Sequence, residues 1–187
     1  MSLKTRFGNL GNILDFENLT KDNIYVLESP ILSNSQFEKF TVFFKDSLKV
    51  LDCTFDVQTN LKKRLDQLCS EAEIAVREGC KHLILSDKKI SEKKAAIPMI
   101  LAFGAINSKL VNLGIRGFAS INVQTGEVLD THSFAVLLGI GATIINPYLV
   151  FDSIYQRYEK KLFGKFNYEE CIQRYIKSVD NGLLKIM

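Results

Sequence analysis

The sequence contains no tryptophan, only three prolines and two histidines, and four cysteines scattered along the chain. No C-x-x-C pair occurs, so the usual ligand spacing of a zinc site or an iron–sulfur cluster is absent. The sequence also lacks a P-loop, a G-x-G-x-x-G fingerprint, an H-E-x-x-H pair and a G-x-S-x-G nucleophile elbow. These absences exclude the common self-contained catalytic sites. The scattered cysteines indicate free thiols in a reducing cytoplasm.

The chain also lacks a strong excess of charge and a long apolar run. Its 24 Lys+Arg and 21 Asp+Glu give a net charge of +3, too small and dispersed for a nucleic-acid footprint. The longest apolar stretches, 95–106 and 134–145, are interrupted by proline or glycine and fall short of the roughly 20 residues of a membrane helix. The N-terminus has no secretory signal. We therefore expect a cytoplasmic protein with no nucleic-acid or membrane partner.

With 187 residues, 47% of them hydrophobic, the chain fits one domain with a substantial core. Residues 1–46 show no sustained period apart from a predicted helix at 35–44 capped by Ser35, and we expect them to wrap the body as part of the same domain. Residues 47–187 alternate β-rich runs with amphipathic stretches, which is typical of βα units. They are predicted to form the α/β body.

Four strands are predicted, at 48–51, 82–85, 118–123 and 143–145. Predicted helices follow the first three strands: one from the Asn60 cap to Gly79, one at 94–113 and one from 131 to 138. Two further helices begin near 150 and 168. The pattern predicts an α/β fold: a four-stranded, mainly parallel sheet flanked by helices, of Rossmann-like or half-barrel-like units. An irregular N-terminal wrap and two C-terminal helices complete it.

The helix predicted at 94–113 carries two apolar stripes, so we expect it to be covered on more than one side.

The strand ends are polar, and parallel sheets bind ligands at the carboxyl ends of their strands. One hypothesis is therefore a stand-alone half-barrel that binds a phosphorylated or flavin ligand at loop 125–130. Glu127 and Asp130 oppose an anion at that place. His132 and His82 are interpreted as structural.

Several short segments stand in a recognisable order. They are Gly11–Asp15, Glu28–Leu32, Leu51–Phe55, Glu71–Glu73, His82–Asp87, Ala96–Pro98, Gln124–Glu127, His132–Ala135, Gly139–Ala142 and Ile145–Leu149. Together they resemble the central domain of the glutamate synthase large subunit. The sequence departs from that family at Asn107–Lys109 and at Ser133, where histidines are usual.

The resemblance implies an internal, non-catalytic piece of a larger oxidoreductase that makes glutamate from glutamine and 2-oxoglutarate. Its partners would be domains of the same chain: a glutaminase, an FMN barrel with an iron–sulfur cluster, and a β-helix. Residues 181–187 resemble the junction to the barrel. No cofactor is expected in this piece, and Met1–Leu3 fit a cloning leader.

The resemblance further implies that the domain contributes to the wall of an ammonia tunnel. By motif position, the candidates for the tunnel or interdomain lining are Ser29, Pro30, Cys53, Thr54 and Phe55. Removed from its neighbours, the chain is expected to expose apolar surface and to self-associate.

Overall fold

A parallel sheet of four strands organises the computed structural model, which describes residues 2–7 and 24–187. The resembling segment Gly11–Asp15 lies outside the described residues. In chain order the described elements are β1 (Thr5–Phe7), β2 (Tyr25–Leu27), α1 (Asn34–Phe43), β3 (Leu48–Asp52), β4 (Thr54–Asp56), α2 (Leu61–Arg77), β5 (His82–Ser86), β6 (Lys94–Ala96), α3 (Met99–Asn112), β7 (Ser120–Gln124), α4 (Thr131–Gly139), β8 (Ile145–Asn146), α5 (Tyr148–Glu159) and α6 (Tyr168–Ile186).

The central sheet has the spatial order β3, β5, β7, β8, with every pair parallel. Each new strand is added beside the preceding one, so right-handed crossovers place α2, α3 and α4 on the same face. A doubly wound sheet instead reverses its order and carries helices on both faces. The predicted α/β class and parallel sheet are confirmed, and of the two predicted arrangements the half-barrel order is the one found.

The two faces of the sheet contact two different apolar clusters, because successive side chains of a strand point to opposite faces. Leu83 and Leu85 of β5 belong to the cluster shared with the helices. Ile84, between them, belongs to the cluster formed with Phe37 and Phe40 of α1. The described part of the N-terminal region thus covers the face that the crossover helices leave open. The division at residue 46 into wrap and body stays a prediction.

Local sequence explains the limits of the first crossover helix, α2. The Asn60 side chain accepts a hydrogen bond from the Lys62 backbone N–H at 2.8 Å, as predicted for the helix cap. Gly79 follows the helix with φ of +91°, a conformation that favours glycine. α1 differs in detail from its prediction, because the cap is Ser33, which forms a capping box with Gln36, and not Ser35.

The helix predicted at 94–113 is shorter, because its first residues form a strand. Lys94–Ala96 is β6, which pairs antiparallel with β4. Pro98 disfavours helical backbone at the residue before it, so α3 begins only at Met99. One apolar stripe of α3 is buried, whereas Leu101 and Val111 of the other stripe remain 42% and 54% exposed. Within the described residues, the expected second cover over α3 is not present.

The two predicted C-terminal helices are confirmed as α5 and α6. A Cβ atom added to Gly182 of α6 would lie 2.6 Å from Thr131 Cγ2 of α4, so these helices approach closely. Phe151 of α5 is fully buried, with its ring 5.9 Å from that of Tyr175 in α6. Among the described residues, no helix is long and apolar enough to cross a membrane.

Candidate functional site at the carboxyl ends of the strands

Four polar residues form one row across the carboxyl end of the sheet. The strand register aligns Asp52 with Ser86, Ser86 with Gln124, and Gln124 with Asn146. We call this set the polar row. Each member ends its strand, so the side chains stand where a parallel sheet meets its loops. The sequence indicated polar strand ends, and the structure adds that they are in register.

Neutral hydrogen bonds connect most of the polar row. Ser86 Oγ donates to Gln124 Oε1 at 2.8 Å, and Gln124 Nε2 donates to Asn146 Oδ1 at 3.1 Å. Asn146 Nδ2 then donates to the Leu32 carbonyl at 3.0 Å. The polar row therefore continues from the sheet to Leu32, in the segment just before α1. The amides and hydroxyls of Ser86, Gln124 and Asn146 therefore satisfy one another, and they link neighbouring strand ends through uncharged groups.

A second set of contacts lies one residue beyond the polar row. Asp87 is fully buried, and Thr125 Oγ1 donates to its Oδ2. The Gly126 backbone N–H also donates to Asp87 Oδ2, at 3.1 Å. A Cβ atom on Gly126 would lie 3.2 Å from Tyr148 Oη, which favours glycine in this turn. Burial, with Asp87 nearby, raises the pKa of Tyr148 to about 12.

The corner between β3 and β4 carries three of the predicted lining residues, Cys53, Thr54 and Phe55. Cys53 and Thr54 are buried and Phe55 is half-buried. Thr54 Oγ1 donates to Asp52 Oδ1 at 2.7 Å, which leaves its oxygen free to accept. Burial, followed by the nearby Asp87 and Asp52, raises the pKa of the Cys53 thiol to about 12. Cys53 is thus suited to packing and poorly suited to nucleophilic chemistry.

The other two predicted lining residues, Ser29 and Pro30, lie at the opposite edge of the sheet. Ser29 Oγ donates to Asp180 Oδ1 at 2.8 Å, and the Pro30 carbonyl accepts from the Ile145 N–H at 2.8 Å. Ile31 pairs parallel with Ile145, so this segment extends the sheet beyond β8. Three strands of the central sheet, β5, β7 and β8, lie between this segment and β3, which leads into the other group of candidates. The structure does not bring them together.

Carboxylates occupy the two helix starts beside loop 125–130, the predicted place for a phosphorylated or flavin ligand. Glu127 Oε2 accepts from the Met99 N–H at 2.9 Å, at the start of α3. Asp130 Oδ1 accepts from the Ser133 N–H at 2.8 Å, at the start of α4. The positive helix ends that attract phosphate are therefore already compensated. A cavity of about 210 Å³ next to them is walled mainly by apolar side chains.

The two histidines have different surroundings. His82 is buried, its Nδ1 lies 2.8 Å from Ser120 Oγ, and burial followed by the Lys81 charge lowers its pKa to about 4. His132 is exposed in the first turn of α4 and lines the 210 Å³ cavity. His82 is a satisfied core histidine. No hydrogen-bonded partner that would make His132 a catalytic base is found in the described part of the chain.

The implied cofactors do not fit the residues described. All four cysteines are free and lie at separate places in the fold, Cys53 and Cys171 buried, Cys69 and Cys80 half-buried. Within residues 2–7 and 24–187, no group of three or more metal-ligating side chains occurs. The carboxylates at α3 and α4 disfavour a flavin phosphate. Among the described residues, the helix starts beside loop 125–130 thus do not fit a flavin phosphate, and the cysteines do not fit an iron–sulfur cluster.

One contributor to the corner was missed in the sequence. Arg64 of α2 donates to the carbonyl oxygens of both Asp52 and Thr54. A signal existed: Arg64 lies beside the apolar stripe of α2, and Glu71 follows seven residues later on the same side of the helix. A charged pair at the boundary of a buried stripe indicates contact with a neighbouring element.

These features define the class of the domain. It is an α/β half-barrel module, with strands in half-barrel order, the polar row at their carboxyl ends, and α1 packed over the face that the crossover helices leave open. The chain belongs to the glutamate synthase central domain family, which matches residues 1–187. It is 45% identical over its whole length to the glutamate synthase [NADPH] large chain of Azospirillum brasilense. It is 37% identical over its whole length to the chloroplastic ferredoxin-dependent glutamate synthase of Oryza sativa subsp. japonica. The chain spans 12% of the length of each of these relatives.

Proposed function

We propose that this chain is a non-catalytic module that connects a glutaminase domain to an FMN barrel within a glutamate synthase. The parent enzyme would make glutamate from glutamine and 2-oxoglutarate, and this module would help to wall the path of ammonia. The observation that carries the proposal is the match of the whole chain to the central-domain family, over 12% of the length of the relatives. The remaining length leaves room for the catalytic domains as partners.

The chemistry of the β3–β4 corner supports the tunnel part of the proposal. Ammonia must remain neutral and shielded from water, so its path requires neutral acceptors and apolar walls. The hydroxyl proton of Thr54 is donated to Asp52, so its oxygen is oriented to accept from an N–H group. The buried Cys53 and half-buried Phe55 supply apolar surface beside it.

FMN and the iron–sulfur cluster belong, on this proposal, to other domains of the parent chain. When bound there, they would supply electron transfer for the reductive step. The residues of this module contribute walls, loop positions and domain contacts. The four free thiols agree with a reducing cytoplasmic location, which is part of the same proposal.

The test uses Thr54→Val in the full-length enzyme. Valine keeps the shape but removes the oxygen, so we expect more ammonia to escape into solution per glutamine hydrolysed, while glutaminase activity and folding are retained. The matched control is Thr59→Val, because Thr59 is exposed and its hydroxyl donates only to the Asp56 carbonyl of the same turn.

The measurement is the ratio of free ammonia to glutamine consumed, followed together with the electron donor oxidised. An unchanged ratio in Thr54→Val would contradict the tunnel role. Flavin absorbance that co-purifies with the 187-residue chain alone would instead favour the ligand-binding alternative at loop 125–130.

A further inference from the structure

The guanidinium of Arg64 reaches from α2 to the corner between β3 and β4. Nη2 donates to the Asp52 carbonyl at 2.7 Å, and Nε donates to the Thr54 carbonyl at 3.2 Å. These two carbonyls flank Cys53. The Arg64 side chain therefore binds the backbone on both sides of Cys53.

Glu71 fixes the orientation of that guanidinium. Its Oε1 lies 2.6 Å from Arg64 Nη1, and the side chains are 19% exposed for Arg64 and 44% for Glu71. A guanidinium is planar with donors in a rigid fork, so it can serve a carboxylate and two carbonyls at once. A lysine ammonium is a point charge and cannot reproduce this arrangement.

Two backbone hydrogen bonds, one with β5 and one with the segment before α3, also hold the corner. The Cys53 N–H donates to the Ser86 carbonyl at 2.8 Å, and the Ile97 N–H donates to the Cys53 carbonyl at 2.8 Å. The sheet and the segment before α3 therefore hold Cys53 itself, whereas Arg64 holds the peptide groups beside it. The orientation of Thr54 depends on both.

We propose that Arg64, oriented by Glu71, is a positioning residue that holds Thr54 and Phe55 in place at this corner. The functional consequence rests on the proposed tunnel role, whereas the structural consequence does not. Without Arg64, the Asp52 and Thr54 carbonyls lose charged hydrogen bonds, and the corner opens locally. The rest of the fold remains, because the sheet and the buried stripe of α2 are unchanged.

The experiment compares Arg64→Met, Arg64→Lys and Glu71→Gln with Arg77→Met in the full-length enzyme. Arg77 is the matched control, because it lies on the same helix and its side chain pairs with Glu73, four residues earlier in that helix, at 2.9 Å. Hydrogen exchange of peptides covering 52–56 and 94–97 reports on the corner directly. Free ammonia per glutamine consumed reports on function.

We expect the hydrogen-exchange rate at the corner to rise about tenfold in Arg64→Met. The loss of a hydrogen bond to a charged group shifts a local opening equilibrium by about this factor or more. Glu71→Gln and Arg64→Lys are expected to give smaller increases, and Arg77→Met none. Ammonia release should rise in Arg64→Met, as is expected for Thr54→Val. A purely structural role would reduce glutamine hydrolysis and glutamate formation in parallel, and would leave this ratio unchanged.

Unchanged exchange at the corner in Arg64→Met would overturn the positioning role, whatever Thr54→Val does. Increased exchange with an unchanged ammonia ratio would support the positioning of the corner and overturn its functional consequence. If Thr54→Val then releases ammonia, the proposed function stands. If it does not, the tunnel role at this corner also fails.

Discussion

The two ends of the central sheet both bury polar side chains, but they surround them with different neighbours. At the carboxyl end, Ser86, Gln124 and Asn146 bond to one another and onward to the Leu32 carbonyl. At the amino end, the His82 ring lies 4.1 Å from the ring of Phe44 and 5.7 Å from that of Phe40, measured between centroids.

This difference indicates that the carboxyl end mainly positions loops, whereas the amino end mainly stabilises the fold. Polar groups that bond across strands and into loops fix where the loops stand, and each bond contributes only about 1 kcal/mol. Aromatic rings over the open face of a half-barrel remove much more apolar surface from water. Substitutions at the amino end should therefore affect folding most, whereas those at the carboxyl end should affect the loops.

Phe40→Ala gives the largest effect expected from this comparison. Phe40 is fully buried and contacts the rings of Phe7, Tyr25, Phe44 and His82. Its truncation should lower the free energy of unfolding by about 3–5 kcal/mol, measured by urea denaturation of the chain.

The control for Phe40→Ala is Phe43→Ala on the same helix, because Phe43 is 55% exposed. It should cost less than about 1 kcal/mol. Equal costs for the two variants would contradict the view that the aromatic cover stabilises the amino end.

The burial of His82 makes the stability of the amino end depend on pH. Its pKa is lowered from 6.5 to about 4, chiefly by burial. Between these values the unfolded chain binds the proton and the folded chain does not, so the stabilisation is complete above pH 6.5 and is lost as the pH falls towards 4. A pKa difference of this size corresponds to a loss of about 2–3 kcal/mol by pH 4.

The measurement is the difference in unfolding free energy between the natural chain and His82→Leu, followed from pH 7 to pH 4. Carboxyl groups that titrate near pH 4 affect both proteins and cancel in the difference. His132→Asn serves as the control, because His132 is exposed. A difference that is constant over this range would show that His82 does not titrate as its burial requires.

Local pattern was sufficient for much of the fold. The Asn60 cap, the apolar stripe of α2, and the strands beginning at Leu48 and His82 follow from neighbouring residues, and the structure has them there. β6 could not be predicted this way, because Lys94–Ala96 becomes a strand only by pairing with the distant β4. Tertiary pairing overrides local helical period in such short segments.

The candidate site was predictable only in part, for a related reason. Polar strand ends are visible in the sequence, but their alignment depends on the register of four strands. The contacts of Arg64 depend on how α2 packs against β3 and β4. The lining role of Ser29, Pro30, Cys53, Thr54 and Phe55 stays a prediction, because it came from resemblance and concerns neighbours outside this chain.

Ser86→Ala is expected to have the smallest effect on the free energy of unfolding. Unlike the effect of His82 at the amino end, this effect should not depend on pH. Ser86 Oγ donates to Gln124 Oε1 at 2.8 Å, and an amide does not titrate. Ser86 Oγ also accepts a longer hydrogen bond from the Lys88 N–H, at 3.3 Å. The loss of these neutral hydrogen bonds should cost about 1–2 kcal/mol, and the same amount at pH 7 and at pH 5. Ser70→Ala is the control, because Ser70 is exposed and bonds only within its helix. Urea denaturation at both pH values checks the pair. A cost for Ser86→Ala that changes with pH would mean that the hydrogen bonds of Ser86 are coupled to a titrating group, and the two ends of the sheet would then differ less than their contacts indicate.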